Sequence, residues 1–295
     1  MNPKQPTKLK SLIWATDFSK ESRACLPYLE FLSDKLNTNN HAVYVLPKFS
    51  DWVYEAAFFS HEDLFQEIEN TKRKSLAKIE RDSKKRDLGL KPVLLEGIAS
   101  EEIIKYADEN DGDLILAGRR GISQIEEILI GSTTSRLIRN SHKPVLVIPK
   151  TKKKVKIESI MAPIDFNEMS LAELHYSIFL ARSLGAKLFV VHISEFFNYR
   201  LPALKRHQLI EKINQKIQGI ADESGYEIEN IIYDEGEPAQ KIIEISKKKK
   251  IDLVVMTTRQ RSGFEKFFLG SITEKVLMYS NTPTLILPPP DATSK

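Results

Sequence analysis

Three glycines and a run of four hydroxyls stand close together in one stretch, Ala117-Gly-Arg-Arg-Gly-Ile-Ser-Gln-Ile-Glu-Glu-Ile-Leu-Ile-Gly-Ser-Thr-Thr-Ser135. Gly118 and Gly121 follow the apolar run that starts at Asp113, and Gly131 with Ser132 leads into Arg136-Leu-Ile-Arg139, which reads as a helix. A glycine directly after a strand permits a positive φ and leaves room for a ligand against the backbone. A helix opening at Gly131 turns its first N–H groups and the positive end of its dipole outward, and Ser132, Thr133 and Thr134 add hydroxyl donors. Those residue types in that order suit a phosphate. A strand end and a helix cap alone would also account for them, and spacing by itself leaves both readings open.

Two common phosphate motifs are excluded. No Gly-Lys dipeptide occurs in the chain, so there is no Walker-type loop, which needs its lysine beside the phosphates. No two glycines are separated by a single residue, so the tight Gly-x-Gly turn of dinucleotide-binding folds is missing too.

The elements that must position this stretch are legible as alternating strand and helix. Strands are predicted near 9–15, 42–46, 91–96, 113–117 and 144–148, with helices over 20–36, 60–87, 99–110 and 132–140. The pattern then repeats. Leu12-Ile-Trp-Ala-Thr-Asp-Phe-Ser19 returns as Ile160-Met-Ala-Pro-Ile-Asp-Phe-Asn167, an offset of 148 at the aspartates. Glu96-Gly97, Asp113-Leu-Ile, Gly131-Ser132 and the Pro-bounded run 144–149 return at an offset of 139, so the first copy carries about nine extra residues in its middle. Strands of the second copy are predicted at 157–162, 187–193, 228–234, 252–256 and 283–287. Near-continuous apolar strands with intervening helices imply an α/β fold, two tandem doubly wound domains each with a five-stranded parallel sheet flanked by helices. Domain limits of 1–150 and 155–295 follow. Such sheets bind ligands beyond the carboxyl ends of their strands, where the strand order reverses.

Taken with this repeat, the spacing Gly118-x2-Gly121-x9-Gly131-Ser132 resembles the ATP-binding signature of the universal stress protein family. Thr16-Asp17-Phe18-Ser19 after the first strand resembles that family's N-terminal motif, and Gly97-Ile-Ala99 with Gly236-Glu-Pro238 extends the likeness over essentially the whole chain, twice. The chain is similar to a tandem universal stress protein, a Rossmann-like adenine-nucleotide α-hydrolase type of fold. The resemblance implies ATP, with Mg²⁺ shielding its triphosphate, in the first domain. It places Thr16 and Asp17 by the adenosine and Leu46 against the base. Ala117, Gly118, Arg120, Gly121, Gly131, Ser132, Thr133 and Thr134 fall around ribose and phosphates. In the second copy Thr257 and Gln260 stand where Gly118 and Gly121 do, and a Cβ at each turn should crowd a ribose or triphosphate. That domain is expected to be degenerate and to serve as the first domain's partner, while the persisting helix entry Gly270-Ser271-Ile272-Thr273 and Asp165 leave an anion or a smaller nucleotide open.

Composition bounds the rest. The 41% hydrophobic content over 295 residues supports two cores. The formal charge of +4 is matched by Lys152, Lys153, Lys154 and Lys156, so the surplus reads as a solvated linker and no nucleic-acid partner is expected. The six histidines never fall at metal-ligand spacing, and one cysteine, Cys25, permits no internal disulfide. With no apolar leader in Met1–Lys10 and no run long enough to span a bilayer, a cytoplasmic protein without membrane contact is expected. Trp52, Tyr54, Phe58 and Phe59 in the first copy's extra segment read as packing over a sheet edge, with a partner-binding patch as the alternative.

No nucleophile and base stand together, so the expected function is a nucleotide-binding regulatory or stress-protective protein. A slow ATPase or nucleotide hydrolase is one alternative; a non-nucleotide interaction protein with structural glycines is another. Both terminal strands are apolar and Pro-bounded, and a bare edge invites pairing. An intramolecular pseudo-dimer of the two domains is therefore expected, and a homodimer through other surfaces is compatible with it.

Overall fold

The apolar runs that open the two repeats become central strands. In the first, Ser11–Ala15 forms β1, buried along its whole length. The computed structural model describes residues 8–47, 61–86, 88–120, 130–149, 154–165, 168–194, 203–228, 230–260 and 267–289. It divides into two compact units, Leu9–Lys153 and the remainder from Lys154. The aromatic cluster from Trp52 to Phe59 and the linker Lys150–Lys153 lie outside the described residues.

In the first unit β1 is flanked by β2 (Asn39–Leu46) and β4 (Leu114–Gly118), with β3 (Leu90–Glu96) beyond β2 and β5 (Val145–Ile148) beyond β4, every pairing parallel. The chain thus winds outward through β2 and β3 and then reverses to β4 on the other side of β1, which makes the β1–β4 boundary the switch point. Helices α1 (Lys20–Arg23), α2 (Leu26–Leu36), α3 (His61–Lys84), α4 (Ala99–Glu109) and α5 (Ser132–Asn140) connect the strands. Trp14 is fully buried, and its indole N–H donates to the Ser22 carbonyl at 2.9 Å, so the largest core side chain leaves no polar group unpaired.

The single helix expected over 20–36 is two. Pro27 sits at the start of α2 and has no N–H to offer the preceding turn, so the chain tightens through Ala24 and Cys25 and begins again. The second unit has His175 at the matching position. Its helix α6 (Glu168–Leu184) runs without a break.

The second unit repeats the winding: β6 (Ser159–Pro163) lies between β7 (Lys187–Ser194) and β9 (Leu253–Thr257), with β8 (Asn230–Glu235) beyond β7 and β12 (Thr284–Leu287) beyond β9, again all parallel. Helices α7 (Ala203–Glu223), α8 (Pro238–Lys248) and α9 (Ser271–Tyr279) complete it. One feature has no counterpart in the sequence reading. Between β9 and α9, β10 (Arg259–Gln260) and β11 (Phe267–Phe268) pair as an antiparallel ribbon.

The repeated residues have structural causes. Asp113, just before β4, accepts from the backbone N–H groups of Lys10 and Ser11, and Asp252, just before β9, accepts from those of Glu158 and Ser159 at 3.0 and 3.2 Å. Each aspartate ties the start of its unit's central strand to the strand beside it. Gly97 and Gly236 turn from strand into helix at φ 141° and 146°, a region closed to residues with a Cβ.

Candidate functional site

Thr16 and Asp17 leave the end of β1, Leu46 ends β2, and Ala117 and Gly118 end β4, so the structure brings these sequence-predicted residues to the same edge of one sheet. The start of α5 joins them. The Gly131 N–H donates to the Arg119 carbonyl and the Arg119 N–H to the Ile148 carbonyl, both at 2.8 Å, which holds the helix start beside the ends of β4 and β5. Glycine at the N-cap offers no side-chain acceptor to the first turn of α5. The amides of Ser132, Thr133 and Thr134 there present the positive end of the helix. Gly121 lies outside the described residues.

Several of the expected ligand groups already have work in the fold. The buried Thr134 hydroxyl donates to the Gly118 carbonyl at 2.7 Å, stitching α5 to β4. Thr16 Oγ1 accepts from the Phe18 N–H at 3.1 Å and meets Ser22 Oγ at 3.2 Å. Asp17 Oδ1 accepts from the Ser19 N–H at 2.9 Å, and Ser19 Oγ in turn caps α1 by accepting from the Ser22 N–H at 3.0 Å. The exposed Ser132 and half-buried Thr133 are the hydroxyls at the face of the helix start.

Gly118 differs most from its sequence reading. Its φ is not positive. A Cβ built there would stand 2.6 Å from the Glu21 carbonyl oxygen and 2.8 Å from its carbon, so glycine is demanded by the backbone of α1 crossing the end of β4. The first demand on this position is therefore packing, with no ligand needed.

Four residues of the region were not singled out as binding residues from the sequence. Arg119 is 8% exposed; burial pulls its pKa down, and the charge of Arg120 adds to the effect. Nε of Arg120 is buried without a hydrogen-bond partner. Arg119 and Arg120 follow directly on β4, and their backbone with the uncapped start of α5 forms a corner at the sheet's edge. At the other side Phe18, in the left-handed region at φ 64°, stacks on Tyr44 with ring centroids 4.8 Å apart, and Lys72 Nζ lies 5.6 and 5.2 Å from the two ring centres. A bulky residue held at positive φ is a strained position of the kind that collects at ligand sites. Burial raises the Tyr44 hydroxyl pKa, and the nearby Asp17 carboxylate raises it further. Arg119 lay in plain view inside the glycine stretch, next to the Arg120 already named there; the Phe18–Tyr44–Lys72 stack joins three separate elements and left no local signal.

The model of the universal stress protein family matches twice, over residues 8–149 and 156–288. The chain belongs to the universal stress protein family. It carries two such domains in tandem. A universal stress protein of Methanocaldococcus jannaschii is 32% identical over 144 residues, covering 45% of this chain and 83% of the relative. One from Bacillus subtilis is 29% identical over 146 residues, covering 43% and 97%. The crystal structure of a universal stress protein from Archaeoglobus fulgidus superposes with a TM-score of 0.67 at 22% identity, over 94% of this chain and 98% of that one, and so shares the fold.

The second universal stress domain keeps the scaffold and changes the chemistry. Gly270 caps α9 in nearly the conformation of Gly131, and the Thr273 hydroxyl points to the Thr257 carbonyl at 3.5 Å as Thr134 does to Gly118. Yet Thr257 puts a side chain where Gly118 has none, and its hydroxyl donates to Oε2 of the buried Glu173 carboxyl group at 3.1 Å. Gln260 belongs to the β10–β11 ribbon. A buried carboxyl group thus stands beside Thr257, where the first domain has Cys25 and Gly118 at the matching positions. Among the described residues no group of three or more His, Cys, Asp or Glu is placed to hold a metal, and no helix is long and apolar enough to cross a membrane.

Proposed function

We propose that the first domain binds an adenine nucleotide, ATP above all, and that occupancy biases a conformational or assembly equilibrium in a regulatory or stress-protective role. The single observation that carries this reading is the corner formed by the uncapped start of α5, the Arg119–Arg120 pair and the end of β4 at the switch point. Ser132, Thr133 and the first α5 amides would hold phosphate oxygens, Arg120 would pair with them, and Asp17 with Leu46 would flank the nucleoside. Mg²⁺ would travel with the triphosphate, sharing its charge among phosphate oxygens and water. The Pro-bounded terminal strands lead us to propose also that the two domains pair within one chain; cross-links between Lys143 and residues near Thr282 would support it, and their absence at high reagent would oppose it.

Ser132→Asp tests the phosphate corner without harming the fold. An acidic residue in the first turn favours the helix by about 0.3–1 kcal/mol, while the same charge near a triphosphate costs roughly 1–4 kcal/mol, depending on the effective dielectric. ATP affinity should therefore fall between about fivefold and about a thousandfold, with thermal stability unchanged or raised. Undiminished ATP binding by a folded Ser132→Asp chain would overturn the reading.

A further inference from the structure

The second domain holds a cavity of about 520 Å³ at the carboxyl ends of β6, β7 and β9, and one of its walls is a carboxyl group with an unmet bond. Glu173 on α6 is 3% exposed. Its Oε2 accepts from the Thr257 hydroxyl at 3.1 Å, and Oε1 is buried with no hydrogen-bond partner. Such an oxygen has given up its bonds to water and gained none in exchange. The fold does not require it, because the matching position of the first domain is Cys25, equally buried and uncharged. The carboxyl group is therefore particular to this cleft.

The remaining lining decides what Oε1 would accept. Among the described residues Asp165 is the second acid of the lining, His192 is its other titratable group, and no Lys or Arg lines the cavity. His192 Nδ1 lies 2.9 Å from the Ile164 carbonyl; since a carbonyl only accepts, the ring donates there. Ile164, Val191, Ile242 and Met256 supply apolar walls. The start of α9 disfavours a cation, and the charge-assisted hydrogen bond to the buried Glu173 carboxyl group is what offsets it. We propose that this cleft is a second ligand site, distinct from the nucleotide corner, that takes a small primary amine with an apolar body, its ammonium bonded to Glu173 Oε1 beside Asp165.

Burial holds the Glu173 carboxyl well above its ordinary range; the Thr257 bond opposes that shift and the Asp165 charge adds to it. An arriving ammonium must therefore displace the proton. Binding then tightens as pH rises while Glu173 remains protonated in the free chain, by up to about tenfold per pH unit. The groups facing Glu173 are Thr257 from β9, Asp165 from the loop after β6, His192 from β7 and the start of α9.

Methyl NMR of the full chain, titrated with phenethylamine and separately with 2-phenylethanol, tests this. An alkylammonium, like a lysine side chain, keeps its charge between about pH 6 and about pH 8. The amine should shift the Ile164, Val191 and Met256 methyls saturably, with affinity rising with pH, and the alcohol should not match it. Glu173→Gln should weaken the amine by at least about tenfold and remove the pH slope, whereas His192→Gln should keep the slope. If Glu173→Gln fails to fold, the slope in the unaltered chain decides alone. Equal binding of amine and alcohol, an unchanged Glu173→Gln titration, a flat pH profile, or methyls that respond to ATP and not to the amine would each overturn the proposal.

Discussion

Gly118→Ala separates a glycine kept for a ligand from one kept for packing. At a negative φ, replacing glycine by alanine ordinarily stabilises a protein by about 0.4–1 kcal/mol, because the unfolded chain loses freedom. Here the new Cβ would meet the Glu21 carbonyl oxygen at 2.6 Å and its carbon at 2.8 Å. Both are backbone atoms of α1, which is anchored by the Ser19 cap and by the Trp14 indole on the Ser22 carbonyl, so neither yields as a flexible side chain would. Overpacking of this kind costs about 1–3 kcal/mol, and the clash outweighs the entropy gain. The net loss runs up to roughly 2.6 kcal/mol, with a midpoint near 1.3 kcal/mol or about 4 °C in Tm for a domain of this size. The assay is thermal unfolding of the nucleotide-free chain, with hydrogen exchange over α1 and β4 to assign the loss to the first domain. A nucleotide-free variant as stable as the parent, weakened only in ATP binding, would refute the packing argument and restore Gly118 as a ligand contact.

Asp113→Ala should destabilise the first domain and Asp252→Ala the second, each by about 1–3 kcal/mol, since each strands two strand-start amides; exchange rates at Ser11 and Ser159 report the loss domain by domain. The Cys25 thiol, its pKa raised by burial first and by the Asp17 charge second, should resist alkylation in the folded chain and react only as fast as the first domain opens; rapid labelling of native protein would contradict its placement. Glu173 makes stability fall with pH. Its folded pKa lies above the unfolded value of about 4.3, so the folded state binds the extra proton, and the contribution is full below that value and lost as pH rises through the folded pKa. The stability of Glu173→Gln relative to the parent should accordingly grow in chemical denaturation as pH rises above that unfolded value, and a difference independent of pH would oppose it.

Most of the scaffold could be read from the chain because it rests on local signals. Apolar runs gave the strands, and the two offsets of the repeat located matching positions, among them Asp113 and Asp252, whose shared role as strand clamps needed coordinates to be seen. What the sequence withheld depends on approaches between distant segments. Pro27 was visible, yet its splitting of the first helix was outweighed by the apolar pattern that continues across it. Gly118 looked like a ligand glycine because spacing does not tell which backbone crosses it. Glu173 lies in an apolar helical stretch as one acid among many, and its isolation appears only when Thr257 and the cavity are placed around it. The Phe18–Tyr44 stack likewise joins a loop to a strand that no local pattern links.

The central claim is that the two domains, alike in fold, differ in what they hold. Native mass spectrometry of the full chain over increasing ATP measures it directly by counting nucleotides per chain. One ATP per chain is expected, lost in Ser132→Asp and retained in Ser271→Asp, the same change at the start of α9. Two equivalent nucleotides per chain, or a single one abolished by Ser271→Asp and indifferent to Ser132→Asp, would contradict it.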